Sequence, residues 1–194
     1  MADGSSVDAA LVVHIIDVAR IAGIRCDRVD LRPCEPCFIA ELRTGGFPVP
    51  DLDWEMGRSE AEALHLLEHA VRVVARARVR MLAAKVASAR IDTDPLWDAE
   101  RSASKRWNAD IGALLELRKM EFSDASHKAV MEAHTRAGRS RAAHQKAEAA
   151  WRAALRRVEK LEREHHALLE QLVAATDRRH EHVKREVDAL TEES

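Results

Sequence analysis

The chain has 194 residues, 33% of them charged, and a formal net charge of −2, so no global attraction to polyanions is built into it. Its 34 alanines, the absence of tyrosine and a 46% hydrophobic content rich in small side chains favour long helices over a single bulky core. No apolar run reaches the ~18–20 residues of a membrane span, and the opening Met-Ala-Asp-Gly-Ser-Ser lacks a basic n-region, so a cytoplasmic protein with no membrane partner is expected. Every proline lies at or before Pro95, and after Gly57 only Gly112 and Gly138 interrupt the chain. The expected fold is all-α: a small helical region over 1–58, an antiparallel helical hairpin over 59–122, and a long coiled-coil helix over 123–194.

In chain order, Ser5 or Ser6 can cap a first helix with Val7, Leu11, Ile15, Val18 and Ala22 on one face and Gly23 as its stop. A second short helix is expected from Ile24 to Arg32, ended by Pro33. The run Asp17-Val18-Ala19-Arg20-Ile21-Ala22-Gly23-Ile24, followed by Val29, resembles the helix-turn-helix of the lac repressor family, which reads D-V-A-x-x-A-G-V-S-x-x-T-V. The resemblance implies a recognition helix with Arg25, Arg28 and Arg32 on one face, reaching phosphates or guanine edges. Arg25 and Arg28 stand where that family has Ser and Thr, and Asp27 and Asp30 add negative charge beside them.

Cys34-Glu35-Pro36-Cys37 follows, with the spacing of a thioredoxin-type redox site but without the strand pattern of that fold. Together with His65 and His69, four apart on the next helix, Cys34 and Cys37 make a Cys2His2 set suited to a structural zinc ion. His65-Leu66-Leu67-Glu68-His69 also spells the inverzincin peptidase signature H-x-x-E-H, which needs a further glutamate on a larger domain.

Ser59-Glu60-Ala61-Glu62 is a capping box that starts a long helix. Arg72, Arg76 and Arg80 extend the His65, His69 face into one cationic ridge, a candidate track for a nucleic-acid backbone. Thr93 or Asp94 caps the next helix, whose bulky face of Trp97, Trp107, Ile111, Leu114 and Leu115 is expected to fold back on the Ser59 helix. Ser123-Asp124 reads as a restart, and Gly138 as a weak point or hinge.

From Ala142 to Leu190 the pattern is that of a helix with a seam: Trp151, Ala154, Val158, Leu161, His165, Leu168 and Leu172 alternate in steps of three and four. Beyond Leu172, Val183, Val187 and Leu190 fall on a shifted register through Thr176 and His180, which reads as a stutter. A stripe this narrow wants another helix, so Trp151, Val158, Leu161, Leu168 and Leu172 are the expected interface with a second copy or a partner helix. The chain shows no glycine-rich phosphate loop or nucleophile elbow, and its i, i+4 charge pairs suit an exposed helix. The expected function is non-enzymatic assembly or adaptation through the coiled coil; the alternatives are a DNA-binding helix-turn-helix regulator or phage-type protein dimerised by it, and a zinc-stapled interaction module with zinc the one cofactor considered.

Overall fold

The computed structural model describes residues 8–50, 52, 54–120 and 123–192. Ser5, Ser6 and Val7 lie outside the described residues, as does the side chain of Leu190. The first helix, α1 (Ala9–Ile21), is capped instead by Asp8, whose carboxylate accepts the Leu11 N–H at 3.0 Å. It buries Leu11, Ile15 and Val18 on one face, and Gly23 ends it at φ +85°, a conformation open to glycine without strain.

Beyond that corner the all-α expectation is wrong. Four strands follow, β1 (Arg28–Cys34), β2 (Cys37–Thr44), β3 (Phe47–Pro48) and β4 (Glu55–Gly57), in an antiparallel sheet with β2 central. The register sets Arg28 opposite Arg43, Asp30 opposite Glu41 and Cys34 opposite Cys37. Side chains therefore alternate: Val29, Leu31, Phe38, Ala40 and Leu42 belong to the hydrophobic core, while Arg28, Asp30, Arg32, Glu41 and Arg43 share the other face. The Arg28-to-Arg32 spacing that suits a helix is equally compatible with this period of two, and the alternating apolar residues decide in favour of strands. There is no second helix of a helix-turn-helix.

Helix α2 (Glu60–Ile91) starts at the capping box, with the Glu62 N–H donated to Ser59 Oγ at 3.2 Å and the Arg58 N–H to Glu62 Oε2 at 2.6 Å. Two further helices complete the chain, α3 (Asp94–Leu117) and the 69-residue α4 (Asp124–Glu192). The chain divides into two compact units: Met1–Ala83 with Glu164–Ser194, and Ala84–Arg163.

In the first unit, Leu11, Ile15 and Val18 of α1 join Leu67, Val71 and Ala75 of α2, the inner face of the sheet, and Leu168, Leu172 and Ala175 of α4 in one core. Two sets of contacts fix the direction of α4 there. His14 meets Glu68 of α2 and lines a hollow with Ala175 and Arg179, whereas Ile21 accepts from Arg78 and lines a hollow with Gln171 and Ala174. Numbers on α2 rise as those on α4 fall, so the two helices are antiparallel.

In the second unit the expected hairpin between the Ser59 helix and the next one is replaced by a kink. Thr93 keeps right-handed helical dihedrals (φ −82°, ψ −29°), donates its hydroxyl to the Ala89 carbonyl at 2.8 Å, and accepts the Trp97 N–H at 3.0 Å. Pro95 cannot donate to the preceding turn, which bends the axis without reversing it. The contacts with α4 then run on in one direction: Arg90 with Glu162 at 2.9 Å, Trp97 with Trp151 at 4.7 Å between centroids, Glu100 with His144 at 3.0 Å, and Leu114 with Ala133 and Ala137. The buried or half-buried positions Val86, Ala89, Thr93 and Leu96 keep alternating steps of three and four through the break. The chain reverses after Leu117, and α4 passes through Gly138 without a hinge.

Along α4 every position on that same spacing from Val130 to His182 is buried or half-buried. The stripe through Trp151, Val158, Leu161, Leu168 and Leu172 is covered by the chain itself, and it continues through Ala175, Arg179 and His182 without the expected stutter.

The start of α2 is pressed against β4: a Cβ added at Gly57 would lie 2.4 Å from the Ala63 backbone nitrogen. Gly57→Ala is expected to lower stability by about 1–3 kcal/mol, the usual cost of overpacking. Urea denaturation checks it, and an unchanged midpoint would show that this contact is not tight.

Candidate functional site

The sequence-predicted residues are scattered by the fold. Arg25 is exposed in the loop before β1, while Arg28 and Arg32 lie on the outer face of the sheet. There Arg28 pairs with Asp30 at 2.9 Å, Arg43 pairs with Asp30 at 2.9 Å and also with Glu41, and Arg32 pairs with Glu41. These guanidinium groups form a cross-strand charge ladder with two carboxylates, which stabilises the sheet and lowers the free charge they could offer a phosphate.

Cys34 and Cys37 flank the tight turn between β1 and β2, so no helix N-terminus faces them as a thioredoxin-type site would need. The Cys37 thiol is pushed up by desolvation and by Cys34 beside it. His65 faces Glu68, and His69 is exposed one turn further along α2. Among the described residues, no group of three or more His, Cys, Asp or Glu side chains is arranged to hold a metal ion, so Cys34, Cys37, His65 and His69 do not converge on one.

The glutamate of the peptidase-like signature has a different setting. Glu68 is buried, with His14 Nε2 at 3.3 Å, His65 Nδ1 at 3.4 Å and Arg72 at 3.3 Å. The contact with His14 outweighs burial, which works the other way, and with His65 and Arg72 it holds the Glu68 carboxyl at about 2, well below its ordinary 4.5. His14 Nε2 is buried and lies 3.3 Å from Glu68 Oε1 without the full geometry of an aligned hydrogen bond. Its position explains its use: it ties α1 to α2 in the core.

Two open hollows of about 360 and 310 Å³ separate α1 from the end of α4, divided by the Asp17 and Arg178 pair. Arg179 reaches Asp8 at 3.1 Å beside them. Each cation lining this groove has a carboxylate at hand, and the arrangement holds α1 on α4.

The remaining feature is the face of the first unit opposite α1. In an antiparallel helix pair, the positions one residue after the buried seam lie on the same side of both helices. Those just before it are Arg78 on α2 and Gln171, Ala174 and Arg178 on α4, and all of them meet α1. Those just after it are His65, His69, Arg72, Arg76 and Arg80 on α2, and Leu169, Val173, Thr176, His180 and Val183 on α4. Leu169, Val173, Val183 and, a turn further, Val187 are 39–53% exposed, an apolar stripe one residue out of phase with the buried seam. Arg76 and Arg80 are exposed, and among the described residues neither has an ion-pair partner. The predicted ridge therefore stands beside a second apolar stripe, whose signal in the sequence was the apparent register shift.

Comparison of the chain with protein-family models, with curated proteins and with solved structures gave no match.

The sign of the Glu68 effect is set by its lowered value. Its ionised form contributes stability above about 4.5, and that contribution is lost as pH falls towards about 2. Glu68→Gln is expected to lower Tm at pH 7, with the gap to wild type closing below pH 4.5. Thermal unfolding across pH 2–8 tests this, and a gap independent of pH would remove the charge of Glu68 from the account.

Proposed function

We propose that the protein is a non-enzymatic helical assembly or adaptor protein, joining a further helix through the outer stripe of α4. One observation carries the reading: α4 bears two stripes, of which the inner is filled by its own chain and the outer, Leu169, Val173, Val183 and Val187, faces solvent. Exposed apolar residues scattered singly are ordinary, but these recur at helical spacing along one face, which suits a helix laid beside them. The expected interface of Trp151, Val158, Leu161, Leu168 and Leu172 is thereby replaced by one rotated about 100° around the same helix. The buried charges around Glu68 and the paired cations of the α1 groove are accounted for by holding the helices together, and no reaction is assigned to them.

Removing residues 142–194 is no test, because it takes Leu168, Leu172 and Ala175 out of the core. Point changes on the exposed face are. A photo-activatable residue at Val173, in the cells that make the protein, is expected to give discrete cross-linked species that disappear when Val183→Glu is added. Absence of such species, or an identical set from the exposed Arg141 position, would contradict the reading.

A further inference from the structure

We infer that the helix received by the outer stripe is α4 of a second copy of this chain, aligned parallel and in register. The inference rests on the assembly reading above and names its partner. Three independent features of the surface agree on it.

The first is the chemistry of the stripe. Val173, His180 and Val187 recur every seven residues, and Leu169, Thr176 and Val183 occupy the companion position. Val173 and Val187 are β-branched at the first of these positions and Leu169 stands at the second, a combination that favours a parallel two-stranded coiled coil. Parallel pairing places each residue against its own equivalent, so apolar layers meet apolar layers and Thr176 and His180 meet their own kind.

The second is the flank. The residues one step beyond the outer stripe are Glu170, Ala174, Asp177, Glu181, Lys184 and Asp188, four of the six acidic. On the other side of the stripe, across the buried seam, lies α2 with its ridge of His65, His69, Arg72, Arg76 and Arg80. In a parallel pair the flank that follows the stripe on one helix lies beside the flank that precedes it on the other. The acidic flank of each α4 is then carried to the basic ridge beside its partner.

The third is the level at which these charges stand. The core contacts set Glu68 near Ala175 and Arg179, and Arg78 near Gln171. That register puts Arg76 within about a turn of the level of Glu170, and Arg72 and His69 within about a turn of that of Asp177. In-register pairing brings Glu170 of one copy to Arg76 of the other, twice over by symmetry. Antiparallel pairing centred on Asp177 sets Asp177 against its own equivalent and Glu170 against Lys184, and it leaves the two basic ridges on the same side with no acidic flank against them.

The test uses sedimentation equilibrium of the purified full-length chain. Wild type is expected to be a reversible dimer; Arg76→Glu and Glu170→Arg are each expected to weaken it roughly tenfold, since each replaces two attractions by two repulsions. The double variant Arg76→Glu/Glu170→Arg is expected to recover most of the loss, and circular dichroism keeps unfolding apart from dissociation. A dimer indifferent to all three changes overturns the parallel pairing but leaves the assembly reading standing. A wild-type chain that stays monomeric overturns the second copy as partner, while the cross-linking at Val173 decides separately whether any helix docks there. Binding of a short DNA duplex that Arg76→Glu abolishes, with sedimentation unchanged, overturns the pairing and gives the ridge to a polyanion.

Discussion

Nothing in its propensity keeps a helix of 69 residues ordered in water; α4 has to bury a stripe along its length. It does so against the chain's own helices. In the first unit, Leu168, Leu172 and Ala175 enter the core with Val71, Ala75 and Leu11. In the second, Ala133 and Ala137 meet Leu114, and Trp151 meets Trp97. The inner seam is the constraint from which the rest follows, because it fixes which faces of α2 and α4 are left over.

The remaining elements serve that arrangement. Helix α1 closes one side of the α2 and α4 pair through Glu68 with His14, Arg78 with the Ile21 carbonyl, and Arg178 with Asp17. The sheet covers α1 with Val29, Leu31, Ala40 and Leu42, and neutralises its own outer arginines with Asp30 and Glu41. With one side closed and the charges there paired, the opposite side is the one that combines unpaired cations with an exposed apolar stripe. Function is read from that contrast.

Much of the helical part was legible in the sequence. The Ser59 capping box, the Ser123-Asp124 restart and the Trp151-to-Leu172 seam all mark real features, because caps and heptads act locally. The sheet was not, since Arg25, Arg28 and Arg32 fit a helical face as well as a loop and a strand, and the alternation of Val29 and Leu31 is short. A proline and a cap residue at Thr93–Pro95 suit a kink as well as a reversal; what separates them is the unbroken burial spacing from Ala89 to Leu96. A heptad also says only that a helix needs a companion, not whether the companion lies in the same chain. The seam is therefore legible without its occupant, and Val183 and Val187, one residue out of phase, give the same pattern as a stutter and as a second face.

The central claim is that the inner stripe is filled within one chain and the outer between copies. Thiol-labelling rates of single cysteines placed along residues 168–183, followed as the protein is diluted, test it most directly. The account predicts that positions 168, 172 and 175 stay protected at every concentration, while 169, 173 and 183 are protected when concentrated and react freely when dilute. Inner positions that open on dilution, or outer positions that react equally at all concentrations, would contradict it.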